Sequence, residues 1–79
     1  MPRALVFINT SAGASNVVRS LEQVKGVCEV HSSRGMYEAV AMVQADSFNE
    51  VKEIVSKRIR GLDSVKSTLT LTLVEVPAT

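Results

Sequence analysis

The sequence predicts an α+β fold of the order β-α-β-β-α-β: one four-stranded antiparallel sheet with two helices on one face. Three observations predict it. Two short runs, Arg3–Thr10 and Glu38–Ala45, are apolar on both of their alternate residue sets, as strands buried on both sides are. Two helical stripes each end at a glycine, and a valine soon after opens a strand: Gly26–Val27 and Gly61–Val65. The stretch from Ser64 to Val76 alternates Leu and Thr cleanly.

The first strand, RALVFINT, sets Ala4, Val6 and Ile8 against Leu5 and Phe7. Ser11–Ala14 is a loop, and Ser15 is a reasonable helix N-cap. Val17, Val18, Leu21 and Val24 then fall at helical spacing, with Arg19, Glu22, Gln23 and Lys25 opposite. Gly26 is placed to end that helix in a left-handed conformation.

Val27 to Ser33 reads as a second strand. Glu29, His31 and Ser33 share one face, and Cys28 and Val30 the other. Its polarity marks it as an edge strand, with Cys28 expected toward the helices as a small core residue. The third strand has Ala39, Ala41 and Val43 on one face and Val40 and Met42 on the other.

Ser47-x-x-Glu50 is a capping box. It opens a helix whose stripe is Phe48, Val51, Ile54, Val55 and Ile59. In the last strand Leu69, Leu71 and Leu73 are expected to face a core, and Thr68, Thr70 and Thr72 something less apolar. Pro77 stops it.

This order is the split β-α-β, or ferredoxin-like, pattern. Right-handed crossovers bring the first and third strands together at the sheet centre. These are the two strands read independently as buried on both faces. Two helices on one face leave the other bare, with Val40 or Met42 on it. A bare apolar face of several hundred Å2 exceeds what soluble monomers usually carry. A second copy is expected to cover it, giving a sheet-to-sheet homodimer of the dimeric α/β-barrel type.

Composition narrows the function. The chain has 79 residues, 46% of them hydrophobic, a net charge of +1 and three aromatic residues, two Phe and one Tyr. A chain of this size buries only about 60–65% of its unfolded surface. Its charge offers no field for nucleic acid or an anionic membrane. RNA recognition on such a sheet needs stacking aromatics and a basic surface, and the central strands bring only Phe7. One cysteine excludes an internal disulfide. No signal-peptide core or membrane-length apolar run is present, so the cytoplasm is the expected location.

Chemistry is sparse. His31 is the single histidine, and no Cys or second His stands at metal-ligand spacing. The first strand–helix turn, Ser11-Ala-Gly13-Ala, lacks the Lys of a phosphate loop and the Arg of an acylphosphatase. No catalytic residue, metal or cofactor is expected, and the chain reads as a non-enzyme. The enzymes of the dimeric α/β-barrel type would need His or acids at the centre of the inner face, which is aliphatic here.

The turn between the second and third strands is unusual. A plain hairpin turn uses Asn-Gly or Asp-Gly; this one carries Arg34, Gly35, Met36, Tyr37 and Glu38. Set beside Val65-Lys-Ser-Thr-Leu-Thr70, Val24-Lys-Gly-Val27 and Ile59, the turn Gly35-Met-Tyr37-Glu38 resembles the effector-binding half of Lrp/AsnC transcription regulators, also called the RAM domain. The resemblance runs from about Ala4 to Val76.

It implies one ligand-binding domain over residues 1–79, without a DNA-binding domain and therefore without direct DNA binding. It implies a homodimer through sheet faces that extends to octamers or larger rings. Its effector would be an amino acid or related metabolite at a subunit interface. Carried over by position, the ligand-binding candidates are Gly35, Met36, Tyr37, Glu38, Ser67, Thr68 and Thr70. A full-length regulator of the same family is a further implied partner, and a ligand-free oligomerisation or adaptor module is the alternative role. The family turn is usually Gly-Asp-Tyr-Asp, so Met36 replaces one acid and Glu38 the other. An ACT-type regulatory domain shares the element order, but would place a glycine-rich effector site at the first strand–helix turn, where Gly13 is a faint match.

Overall fold

The computed structural model describes residues 2–11 and 14–73, with only the backbone of 14 and 15. The elements follow the expected order. They are β1 (Arg3–Thr10), α1 (Ala14–Glu22), β2 (Val27–Ser32), β3 (Ala39–Gln44), α2 (Phe48–Glu53) and β4 (Val65–Leu73). The helix already includes Ser15, so it starts before the cap expected there, and the end of the last strand at Pro77 lies outside what is described.

The sheet order is β2-β3-β1-β4, every neighbour antiparallel. The two strands that are apolar throughout are therefore central, and the polar β2 is at an edge. Along β1 and β3 the side chains alternate between buried and half-buried. Ala4, Val6 and Ile8 pair in register with Val43, Ala41 and Ala39, and all six are fully buried under the helices. Val17 and Leu21 of α1, and Val51, Val55 and Ile59 of the second helical stretch, close this core. Truncation of a fully buried side chain such as Ile8 to Ala costs about 2–5 kcal/mol.

The Ser47 hydroxyl accepts a 3.2 Å hydrogen bond from the Glu50 backbone N–H, as the capping box requires. The helix then widens. From Ile54 to Ile59 it is π-helical, and the Arg60 N–H donates to the Val55 carbonyl five residues back. Gly26 sits at φ +102°, and a Cβ there would lie 2.5 Å from Cδ1 of Ile54. The positive φ is what calls for glycine here, and any Cβ would also make the Ile54 side chain shift.

Two expectations are corrected. Cys28 is exposed rather than packed under the helices. The pairing of β2 with β3 shifts between Val27 and Glu29, so Cys28 is the extra residue of a bulge. Val27 and Val30 keep their places against the core, and Cys28 turns outward. The second correction concerns β4. Thr68, Thr70 and Thr72 pair with Ile8, Val6 and Ala4, on the helix side. Leu69 and Leu71 pair with Phe7 and Leu5, on the open side, where they are 45% and 48% exposed. Within one chain the leucines face no core. Alternation separates two faces but does not say which one the helices cover.

Candidate functional site

The open sheet face is built in rows. Glu29, Met42, Leu5 and Leu71 form one row across the four strands, and His31, Val40, Phe7 and Leu69 the next. Its middle is aliphatic and aromatic. Its β2 edge carries Glu29 and His31, whose carboxylate and imidazole lie 3.9 Å apart and are largely exposed.

The turn from Ser33 to Glu38 folds onto one end of this face. The Ser33 N–H donates to the Glu38 carbonyl (2.9 Å), and the Glu38 N–H donates to the Ile8 carbonyl (3.0 Å). The Gly35 N–H donates to the Ser33 hydroxyl at 3.2 Å. Glu38 is thus tied to β1 before β3 formally begins. Tyr37 follows it inward: its ring lies 5.6 Å from that of Phe7, tilted by 51°. Met36 points the other way and is 85% exposed. Gly35 has no positive φ, and a Cβ there would meet nothing closer than the Ser33 hydroxyl at 3.7 Å. Its value is therefore the bare backbone it presents.

Ser67 lies beside the same end of the sheet. It pairs with Asn9, whose side-chain amide donates to the Ser67 hydroxyl at 3.3 Å. Thr68 and Thr70 have the opposite parity and project to the helix side of β4. Thr70 and Thr72 form one wall of a groove of about 730 Å3, and Phe48, Val51, Lys52 and Val55 form the other. The seven candidates are thus divided within one chain. Gly35 to Glu38 share the open-face end of the sheet with Ser67, while Thr68 and Thr70 lie on the other face. The groove, with Phe48 and Lys52 at its edge, was not singled out from the sequence. The partial exposure of Phe48 at the very start of the apolar stripe is what marks it.

Among the described residues, no three His, Cys, Asp or Glu side chains come together as a metal site would need. No helix among them is long and apolar enough to cross a membrane.

The architecture is a ferredoxin-like domain with an exposed apolar sheet face and an elaborate β2–β3 turn at its end. The chain matches the model of the Lrp/AsnC ligand binding domain over residues 3–78, and it belongs to that family. Solved structures share the fold. TTHA0845 from Thermus thermophilus superposes with a TM-score of 0.89 at 26% identity, with all of both chains covered. AsnC of E. coli gives 0.85 at 20% identity, over 99% of this chain and 54% of that one. The feast or famine regulatory protein of M. tuberculosis, complexed with L-methionine, gives 0.79 at 21% identity, over 100% of this chain and 54% of that one. No curated protein sequence matches the chain.

Proposed function

We propose that this domain is an amino-acid sensor that holds its effector at a subunit interface and so modulates its own assembly or that of transcription regulators of its family. It performs no catalysis in this reading. One observation carries it: the Tyr37–Phe7 contact lays the β2–β3 turn on the end of an uncovered apolar sheet face. A second copy seated on that face would find the turn at its rim.

The chemistry of the turn suits a zwitterion. Gly35 lets a ligand approach the backbone closely. The Glu38 carboxylate can take an ammonium group, and backbone N–H groups with the Ser67 hydroxyl can take a carboxylate. Thr68 and Thr70 would join such a site from another copy. Membership of a ligand-binding family and the L-methionine complex of the M. tuberculosis relative support the same class of effector.

The test is a thermal-shift screen of the pure protein against the twenty amino acids. An effector at ~100 times its dissociation constant adds about 2.7 kcal/mol per site. For a domain this small that raises the melting temperature by roughly 10–20 °C. A selective shift by one or two amino acids is expected. Flat curves for all twenty would overturn the sensor and leave the ligand-free adaptor, which pairs with full-length Lrp/AsnC regulators.

A further inference from the structure

The open-face set of β1 runs Leu5, Phe7 and then Asn9. Asparagine is a poor strand former, and here it is half-buried on a central strand. A polar side chain in such a place has to be held by a partner. The partner is Ser67, whose hydroxyl accepts a 3.3 Å hydrogen bond from the Asn9 side-chain amide. Nothing in the function described so far uses Asn9.

Its position joins the turn to the last strand. Asn9 stands two residues beyond Phe7, the residue on which the Tyr37 ring rests. On one side of β1, the Ile8 carbonyl next to Asn9 accepts from the Glu38 N–H. On the other side, Asn9 faces Ser67. The β1–β4 register shifts at this point: Asn9 pairs with Ser67 and Thr10 with Val65, so Lys66 is the extra residue of a bulge. Bulges re-aim side chains beside functional sites, and this one sets a cation next to Ser67 in the chain.

We infer that Asn9 is a positioning residue of the effector site, which aims the Ser67 hydroxyl proton at the effector's carboxylate. The inference rests on the sensor reading and adds to it a residue and a chemical requirement. A serine hydroxyl has one proton and two lone pairs. Asn9 fills a lone pair, so the proton is left to donate. An ionised carboxylate only accepts, and hydrogen bonds to it are stronger than those to a neutral group. The site therefore selects effectors with a free carboxylate over their carboxamides. Asn9 acts through Ser67 and needs no contact with the effector itself.

The experiment is calorimetric titration with each of the twenty amino acids and with the α-carboxamide of each. The proteins are the parent, Asn9→Ala, Ser67→Ala and the double variant, each first shown folded by its melting curve. Asn9→Asp keeps the side-chain shape without the donor and serves if the alanine variant does not fold. The parent is expected to bind an amino acid more tightly than its carboxamide. Loss of one hydrogen bond to a charged group weakens binding roughly ten- to hundredfold. Asn9→Ala should lose affinity for the amino acid on that scale and for the carboxamide far less, so the preference collapses. The double variant should bind no more weakly than Ser67→Ala, because the two residues act as one unit. Equal losses for both ligands would reduce Asn9 to a pin between strands and overturn the inference. So would additive losses in the double variant, or an Asn9→Ala that binds as the parent does; the sensor would stand in each case. A parent that binds none of the twenty would overturn the sensor and this inference together.

Discussion

The Tyr37 ring leans on the Phe7 ring at 5.6 Å, and Phe7 pairs in turn with Leu69 of β4. This contact ties the turn to the central strand β1 as well as to its own hairpin, which the Ser33–Glu38 hydrogen bond closes. It makes the turn a continuation of the open face, with Met36 outward and Tyr37 inward on adjacent residues.

Removal of the ring should have two separable effects. Tyr37→Ala loses an aromatic pair worth about 0.5–1.5 kcal/mol beyond its buried area, and the melting temperature should fall accordingly. The effector-induced shift should vanish. Gly35→Val isolates the second effect. The backbone at Gly35 does not require glycine and the space beside it is open. Stability should therefore stay within about 0.5 kcal/mol of the parent while the effector response is lost. A full response from both variants in the thermal-shift assay would remove the turn from the site.

Met42 stands in the row Glu29–Met42–Leu5–Leu71 at the middle of the open face. Met42→Asp places a charge where a sheet-to-sheet dimer would bury it. Monomers or insoluble protein are expected by light scattering. A normal dimer from this variant would mean that the open face is not the dimer surface.

Gly26→Ala should be among the most damaging small substitutions. The positive φ resists any Cβ, and that Cβ would also press on Ile54. Strain of this kind costs about 1–3 kcal/mol. At about 4–8 °C per kcal/mol for a domain of this size, a melting curve reads it easily. A variant as stable as the parent would show that the helix can move aside freely.

Cys28 should react with a thiol reagent in the native protein, one equivalent per chain, because the bulge exposes it. A thiol buried under the helices would need denaturant first. A native protein inert to the reagent would restore the inward placement that the spacing alone suggested.

Much of the fold was legible because polarity reports burial. The apolar parities of Arg3–Thr10 and Glu38–Ala45 identified the central strands, and Glu29 and His31 identified an edge. Ser47 and Glu50 announced a helix start by their own chemistry. Other features have no such residue signature. One extra residue at Cys28 shifts the register without changing composition, and no side chain from Ile54 to Ile59 advertises a π-helical winding. The leucines and threonines of β4 defined two faces, but only the position of α2 decides which is covered. The candidate site was legible in part. The heavy turn stood out against ordinary hairpin chemistry, while the separation of Ser67 from Thr68 and Thr70 follows from strand parity once β4 is paired with β1. The groove at Phe48 depends on where the helix stops covering the sheet, which no local pattern records.

The pairing of the first strand with the last governs how the chain reaches this structure. β1 lies between β3 and β4, and Asn9 bonds to Ser67 across 58 positions of sequence. A chain emerging from its N-terminus makes β1 first, yet one edge of β1 stays unpaired until β4 has been made. Contacts this distant close late and slowly, because the loop entropy between them must be overcome before they contribute. A fragment that stops short of β4 would therefore present a long apolar strand with an open edge, the kind of surface that seeks other chains. Completion of the last strand pairs that edge of β1 and moves the border of the sheet out to β4.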